Sequence, residues 1–323
     1  MSTTSADTHE RVLRIAGGRI RVRIRGEGDP VLLINGLGAN VAMWNSLVEQ
    51  LGGFEVISYD AAGTGHSSTP LLPYTMARAA DVASSVLDAV GHDRAHVLGY
   101  SFGGAVAQTL ALREPDRVRR LVLACTSCGV GAVPGSMRAL LAVMTPVRYY
   151  SKSAHELAAA MVELSPAESD SSFLERWAAE RKEAKPSMVG YAQQMTAFWT
   201  FSSVRWLHRV ESPALVLAGT EDKLVPAANA ALLTAYLPNA RLRLYERWGH
   251  YVLHDARSGA GATVADFFTA PRPEDSPAWR DAEAITGEHL ASFIRPAPTV
   301  HPAAIVSLLV RRAFPPPRRG SPG

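Results

Sequence analysis

AHVLGYSFGGAVA, residues 95–107, is the stretch of this sequence that decides its fold. The apolar residues 95–98 predict a short buried strand, and residues 102–107 predict the start of a helix. Between them Ser101 lies in the pattern Gly-x-Ser-x-Gly, which indicates a strand-to-helix turn too tight for flanking side chains. Such a turn lifts a serine hydroxyl above the edge of a sheet, so we predict that Ser101 is a nucleophile.

A nucleophilic serine needs a histidine base and an acid that orients the base. The candidate acid is Asp222, in the loop that follows the apolar strand pattern of residues 214–218. Its neighbour Glu221 is the less favoured choice. The other loop that could supply an acid, residues 125–131 after an earlier strand, contains no carboxylate.

The candidate base is His250, which follows a glycine in the loop after the strand pattern of residues 241–245. The order serine, acid, histidine along the chain is the one expected for a Gly-x-Ser-x-Gly nucleophile. His254 is near in sequence but is predicted to belong to the next helix. We therefore favour His250 as the base.

A third part of the predicted site is an oxyanion hole. The apolar strand pattern of residues 31–34 is followed by Asn35-Gly36-Leu37-Gly38, whose glycines allow a close approach of the backbone to a ligand. We expect the backbone N–H groups of Leu37 and Phe102 to stabilise the negative charge that develops on the substrate.

The rest of the chain predicts an α/β fold with a mostly parallel central sheet flanked by helices. Strand and helix patterns alternate from Pro30 to about residue 211, which is typical of such a sheet. Residues from about 132 to 210 interrupt the alternation after the sixth strand and predict a helical cap rich in methionine and aromatic residues. We expect some of these side chains, Trp199 among them, to line an apolar pocket over Ser101.

Residues 19–25 alternate strictly between arginine and apolar residues, which predicts a half-exposed strand with a solvated arginine face.

Composition narrows the functional classes. The 323 residues are 47% hydrophobic, enough for a catalytic domain with a cap, and the net charge of +3 gives no reason to expect a nucleic-acid partner. Residues 1–10 are polar, and no run of about 18 apolar residues occurs, so we expect a cytoplasmic protein. The two cysteines, Cys125 and Cys128, have no further metal ligands spaced nearby, so we expect no metal site and no redox function.

The C-terminal part differs in composition from the rest. We predict a hydrolase domain over residues 1–270 and a partly disordered extension over residues 271–323, which contain ten prolines. Residues 303–312 combine a short apolar run with two terminal arginines, which could contact a granule or an anionic membrane surface. We expect the extension to be dispensable for the chemistry.

With these residues identified, the chain resembles the α/β-hydrolases, and among them the intracellular medium-chain poly(3-hydroxyalkanoate) depolymerases. The resemblance covers about residues 17–268 and rests on residues 34–40, 65–70, 73–74, 133–135, 146–149, 206–208 and 215–219. It implies a triad of Ser101, Asp222 and His250 that cleaves esters between 3-hydroxyacyl units without a cofactor. Asn35, where many hydrolases carry histidine, is part of the likeness, whereas Tyr100 and Phe102 stand where valine and tryptophan are expected. The expected substrate-binding residues are Asn35, Gly36, Tyr100 and Trp199.

Three functions remain open at this point. The first is a serine carboxylester hydrolase that acts through an acyl-enzyme on poly- or oligo(3-hydroxyalkanoate) esters. The second is a hydrolase of small esters, lactones or thioesters in a biosynthetic pathway. The third is a non-catalytic protein that binds a granule or a surface, which an intact set of Ser101, Asp222 and His250 disfavours.

Overall fold

An eight-stranded sheet forms the centre of the protein. The structure, a computed structural model, describes residues 8–71, 74–162, 165 and 167–294. The strand order across the sheet is β1-β2-β4-β3-β5-β6-β7-β8. The strands are β1 Thr8–Ile15, β2 Gly18–Arg25, β3 Asp29–Ile34, β4 Phe54–Tyr59, β5 Ala95–Tyr100, β6 Val118–Ala124, β7 Ala214–Gly219 and β8 Ala240–Tyr245.

The sheet is mostly parallel, as its sequence predicts. β1 and β2 pair antiparallel, as do β2 and β4, and every other neighbouring pair is parallel. The carboxyl ends of β3, β5, β7 and β8 therefore meet at one edge. Since ligands bind outside the carboxyl ends of parallel strands, this edge is where the candidate residues are brought together.

Helices cover both faces of the sheet. Successive residues of β3 point to opposite sides, so that Val31 and Leu33 pack into one hydrophobic cluster and Leu32 and Ile34 into the other. None of the helices in the described part of the chain is long and apolar enough to cross a bilayer. The helices are α1 Asn45–Val48, α2 Met76–Val90, α3 Phe102–Arg113, α4 Met137–Val143, α5 Lys152–Val162, α6 Ser171–Glu183, α7 Met188–Trp199, α8 Ala228–Tyr236, α9 Ala260–Thr269, α10 Pro277–Arg280 and α11 Gly287–Phe293.

The connection between β6 and β7 carries the predicted helical segment. It contains α4, α5, α6 and α7, and together with the flanked parallel sheet this confirms the predicted fold class. Buried polar contacts fasten this cap to the body. The Asn40 side chain donates hydrogen bonds to the carbonyls of Glu180 (3.1 Å) and Ala184 (2.9 Å) at the end of α6.

Arg21 departs from the expectation of a solvated arginine face on β2. Its side chain is buried, and ion pairs with Glu183 of the cap at 2.8 Å and with Glu10 at 2.9 Å compensate its charge. Asp60 lies 3.6 Å from the same guanidinium. The alternation in the sequence correctly predicts the strand but not the cap residue that covers it.

Residues 271–294 pack against the body, so the predicted boundary at residue 270 falls inside ordered structure. Trp279 of α10 stacks on Phe267 with ring centroids 5.4 Å apart. Leu242 of β8 and Glu283 exchange two backbone hydrogen bonds, at 2.7 and 2.8 Å. Ile285 and Leu290 are buried in the main hydrophobic cluster. The segment 303–312 lies outside the described residues, and its surface contact stays a prediction.

Candidate active site

Ser101 occupies a strained turn between β5 and α3. Its backbone has φ +52° and ψ −118°, a region that residues with a side chain rarely adopt. Two hydrogen bonds hold the turn: the Ser101 N–H donates to Ala124 O at 2.9 Å, and Thr126 Oγ1 donates to Ser101 O at 2.6 Å. The strain is therefore maintained by the neighbouring strand β6 and the loop after it.

The two glycines of the pattern are required by close packing. A Cβ atom at Gly103 would collide with the carbonyl oxygen of Ile34, and one at Gly99 would collide with Gly103 O and the Ala107 side chain. Hence α3 can begin immediately after Ser101 and still lie against β3 and β5. This packing is the physical basis of the Gly-x-Ser-x-Gly pattern in this chain.

The turn brings Ser101 into hydrogen-bond reach of His250 and Asp222. His250 Nε2 lies 3.2 Å from Ser101 Oγ, and His250 Nδ1 lies 2.7 Å from Asp222 Oδ2. The other oxygen, Asp222 Oδ1, accepts hydrogen bonds from the N–H groups of Leu224 (2.9 Å) and Val225 (2.8 Å). Since both oxygens are engaged, the carboxylate is held in one orientation toward His250.

The structure places the two alternative residues away from these contacts. The carboxylate that contacts His250 Nδ1 belongs to Asp222 and not to Glu221. His254 lies in a turn, not in the helix that its sequence predicts, and its Nδ1 lies 2.9 Å from Met43 O. Burial among aromatic rings lowers the pKa of His254 to about 3, so this imidazole is neutral at physiological pH.

The predicted oxyanion donors lie on the loops beside Ser101. Leu37 and Phe102 both line the cavity that contains Ser101 Oγ. Within the described part of the chain, neither of their N–H groups donates to a protein acceptor.

Asn35 has a different place from the one expected of a substrate-binding residue. It does not line the cavity, and its side chain bonds Asn40 O (2.6 Å) and the Gly36 N–H (3.1 Å), which shapes the loop from behind.

The cap also holds this loop. Tyr149 OH donates to Leu37 O at 2.7 Å, and Gln194 Oε1 accepts from the Gly38 N–H at 3.1 Å. Gln194 in turn donates to Ala62 O at 3.3 Å. With the carbonyl of Leu37 tied to the cap, the orientation of the peptide groups around Leu37 depends on cap residues as well as on the loop's own glycines.

A cavity of about 290 Å³ lies over Ser101 and His250, between the sheet edge and the cap. Gly36, Tyr100 and Trp199, three of the four expected substrate-binding residues, line it. Tyr100 also donates from its hydroxyl to His250 O at 3.0 Å, so it supports the histidine loop. The expectation that cap methionine and aromatic residues line the pocket applies to Met144, Met195, Trp177, Phe198 and Tyr149, whereas Met137, Met161 and Met188 lie elsewhere.

Cys125 lies next to the Asp222–His250 pair. Atoms of these three residues are within 4.8 Å of one another, a spacing that could hold a metal ion. Two observations fit a metal poorly: burial raises the pKa of the Cys125 thiol well above its ordinary value, and both His250 ring nitrogens are already in hydrogen bonds. Cys125 and Cys128 are both buried, free thiols.

Glu168, a buried cap residue that the sequence does not single out, contacts both neighbours of His250. Its Oε1 accepts hydrogen bonds from the N–H groups of Gly249 (3.1 Å) and Tyr251 (2.6 Å), while Oε2 accepts from Ser165 N–H at 3.3 Å. Burial raises the pKa of this carboxyl, and the N–H donors oppose the shift. Nothing in its local spacing distinguishes it from a surface glutamate, so only the tertiary contacts identify it as a positioning residue.

We expect Glu168→Ala to lower kcat for ester hydrolysis by about tenfold or more, with a smaller change in KM. The substitution leaves three N–H donors without this acceptor, and two of them, on Gly249 and Tyr251, belong to the backbone on either side of His250. Each such unpaired buried group costs about 1–3 kcal/mol. Glu168→Gln should restore most of kcat, since an amide oxygen can accept the same two bonds. Steady-state kinetics of the two variants on a chromogenic ester measure the difference.

The matched control is Glu175→Ala, which removes an exposed glutamate from α6 of the same cap. It should leave kcat and KM as in the parent protein. If Glu168→Ala instead raises KM alone, or if the kcat of Glu168→Gln is as low as that of Glu168→Ala, Glu168 does not act by positioning His250.

Comparison with known sequences places these residues in a family context. Residues 29–256 match the family described as the alpha/beta hydrolase fold. The chain is 33% identical over 244 residues to a poly(3-hydroxyalkanoate) depolymerase of Ectopseudomonas oleovorans, covering 75% of this chain and 85% of that protein. It is 28% identical over 267 residues to a 2-hydroxymuconate semialdehyde hydrolase of Pseudomonas sp. (strain CF600), covering 78% of this chain and 91% of that one.

The structure is also similar to solved structures of hydrolytic enzymes. The enol-lactonase of Burkholderia xenovorans LB400 is 26% identical, with a TM-score of 0.69 over 80% of this chain and the whole of that one. A hydrolase from Pseudomonas aeruginosa PA01 is 29% identical, with a TM-score of 0.68 over 81% of this chain and 99% of that one. These two relatives and two solved structures are all named as hydrolytic enzymes, and the substrates that their names give differ.

Proposed function

The chain belongs to the α/β-hydrolase family and is a hydrolase, and from that premise we propose that it is a serine carboxylester hydrolase acting on hydroxyacyl esters. The observation that carries the proposal is the chain of contacts from Asp222 through His250 to Ser101. Its distances of 2.7 and 3.2 Å are those of an oriented base beside a nucleophile.

In the proposed reaction, His250 Nε2 accepts the proton of Ser101 Oγ as this oxygen forms a bond to the ester carbonyl carbon. The carbonyl oxygen becomes an oxyanion, which the N–H groups of Leu37 and Phe102 stabilise. One donor of this kind contributes about 3 kcal/mol to lowering a barrier. Asp222 accepts the His250 Nδ1–H and stabilises the imidazolium formed in this step.

The tetrahedral intermediate then breaks the bond to the alcohol oxygen, which leaves with the proton from His250. The product of this step is an acyl group on Ser101 Oγ. Water attacks the acyl carbon, gives its proton to His250 and releases the carboxylic acid, after which Ser101 regains its proton. The proposed steps use only the ester, water and the side chains named here, and they need no cofactor.

Two observations support hydroxyacyl esters as substrates. The cavity lining is mainly apolar, with Met144, Met195 and Phe198 suited to a medium-length alkyl chain. The Ectopseudomonas relative is named for hydrolysis of a poly(3-hydroxyalkanoate), and its identity to this chain extends over most of both proteins.

A second candidate is hydrolysis of small esters or lactones. The structural similarity to the Burkholderia enol-lactonase and the cavity volume of about 290 Å³ favour it. The two candidates share the same residues and the same acyl-enzyme. They differ in the molecule that the cavity accepts.

A panel of substrates tests the proposal. We expect 4-nitrophenyl octanoate to be hydrolysed with a kcat/KM at least tenfold above that of the butanoate, because each methylene moved from water into an apolar cavity contributes about 0.8 kcal/mol. We also expect a dimer of 3-hydroxyoctanoate to be cleaved to monomers. The assays are nitrophenol release and chromatography of the acids.

The other outcomes are equally informative. Faster hydrolysis of lactones and short esters, with no cleavage of the dimer, would favour the second candidate. Absence of hydrolysis of every carboxylic ester in the panel would overturn the proposed function. Soluble monomer released from dispersed poly(3-hydroxyoctanoate) would extend the substrate range from oligomer to polymer.

A further inference from the structure

Two buried arginines line the cavity over Ser101. Arg148 and Arg181, both from the cap, are 8% and 7% exposed. In the part of the chain that the structure describes, no ion pair joins either guanidinium to a carboxylate. A buried charge without a counter-ion is costly, so this arrangement calls for an explanation.

The protein contacts of the arginines are neutral. Arg148 Nη1 donates to Tyr191 OH at 2.6 Å and to Thr145 O at 3.0 Å, and Arg181 Nη1 lies 3.1 Å from His155 Nδ1. Both guanidinium carbons lie 4.8 Å from the centroid of the Tyr149 ring. These contacts hold the guanidinium groups in place without neutralising their charge.

Each arginine also keeps an unused donor. The Nε atoms of Arg148 and Arg181 are buried and have no hydrogen-bond partner among the described residues. Buried polar groups in folded proteins almost always have partners. The described residues therefore leave part of the hydrogen-bonding capacity of these two cavity-lining guanidinium groups unused.

The cavity lining itself contains no acidic residue in the described part of the chain. Its titratable groups are the two arginines, the tyrosines, His155 and His250. Burial and the neighbouring Arg181 lower the pKa of His155 to about 4, so this histidine is neutral at physiological pH. The nearby carboxylates, Asp222 and Glu168, lie behind His250 and accept hydrogen bonds from His250 and from backbone N–H groups.

We propose that Arg148 and Arg181 form a carboxylate-binding site, and that the substrate of this enzyme carries a free carboxylate beside the ester bond that is cut. The inference rests on the proposed ester hydrolysis and specifies its substrate. A guanidinium binds a carboxylate through strong, charge-assisted hydrogen bonds. The apolar remainder of the cavity suits the alkyl part of such an acid.

This site has a consequence for how an oligoester is cut. The free carboxylate of an oligo(3-hydroxyalkanoate) belongs to its last unit, which departs as the hydroxy acid when the last ester bond is broken. An enzyme that binds this carboxylate near Ser101 releases monomers from the carboxyl end of the chain. Neutral esters with the same alkyl groups lack this interaction and are poorer substrates.

The test compares two substrates that differ only in charge: the 3-hydroxyoctanoate dimer with a free acid and the same dimer as its primary amide. We expect the parent protein to cleave the acid with a kcat/KM at least tenfold above that of the amide. Arg181→Met and Arg148→Met should each lower kcat/KM for the acid at least tenfold more than for the amide. Arg176→Met, on the exposed side of α6, is the matched control and should leave the ratio unchanged.

A binding measurement separates this proposal from the proposed function. Calorimetry with Ser101→Ala protein should detect 3-hydroxyoctanoate and not 3-hydroxyoctanamide, and the added Arg181→Met change should abolish the difference. If the parent protein cleaves both dimers equally, or if the arginine variants lower both rates alike, the carboxylate site is wrong and ester hydrolysis stands. If neither dimer is cleaved but the acid binds through Arg181, the site stands and the proposed reaction is wrong.

Discussion

Ser101→Ala is expected to lower kcat for ester hydrolysis by about 10⁶-fold, the loss typical of removing a serine nucleophile. The reason is that no other hydroxyl of the described residues lies beside His250 Nε2, from which Ser101 Oγ is 3.2 Å away. The fold should be unaffected, because the hydrogen bonds that hold the turn use the Ser101 backbone. Turnover of 4-nitrophenyl octanoate and a circular dichroism spectrum measure the two quantities.

Two further variants sharpen this prediction. His250→Ala should match the loss in Ser101→Ala, because the two residues act as a unit. His254→Gln should retain far more activity, since His254 contacts Met43 O and not Ser101. A serine-directed phosphonate should label the parent protein and fail to label Ser101→Ala. Residual turnover near the parent value in a folded Ser101→Ala protein would remove Ser101 from the nucleophile's role.

Asp222→Asn is expected to lower kcat by about 10⁴-fold while KM changes little. Asparagine can still accept the N–H groups of Leu224 and Val225 through its amide oxygen, so the loop keeps its shape. Its amide NH₂ then faces His250 Nδ1, which must become an acceptor. The ring proton moves to Nε2, which can no longer accept the proton of Ser101.

Glu221→Gln is the matched control because it makes the same chemical change one residue away. It should leave kcat within a few-fold of the parent value, since the His250 imidazole bonds Asp222. If Glu221→Gln proves the more damaging of the two, the acid has been assigned to the wrong residue. Steady-state kinetics with one ester substrate, over a range of concentrations that brackets KM, distinguish these results.

The placement of Ser101, Asp222 and His250 could be predicted because each depends on residues close to it in sequence. Gly99 and Gly103 reveal the turn at Ser101, since only glycine fits the contacts with β3 and α3. Apolar runs of strand length precede Asp222 and His250, and the carboxyl ends of parallel strands share one edge of a sheet. Local sterics and strand periodicity were enough to predict which loops meet.

The sequence was a poor guide where burial depends on distant parts of the chain. Arg21 belongs to a strand in which arginine alternates with apolar residues, and this pattern predicts that the arginines are solvated. In the structure, Glu183 of the cap covers Arg21. Asn35 is next to the oxyanion loop in sequence, yet its side chain turns back to Asn40. Residues 271–294 are rich in polar residues and proline, yet Trp279 and Ile285 complete the core.

By itself the sequence determined the α/β fold class, the order of the strands along the chain and the three residues proposed for catalysis. The tertiary structure alone decided that Glu168 would hold the backbone beside His250 and that Arg148 and Arg181 would line the cavity without a carboxylate partner among the described residues. The physical reason is that a glycine turn is determined by steric contacts with neighbouring residues. An apolar strand likewise needs only burial within a sheet, whatever the identity of its partner strands. The environment of a charged side chain is set by the cap helices that close over it, and their packing is not encoded in the residues around it.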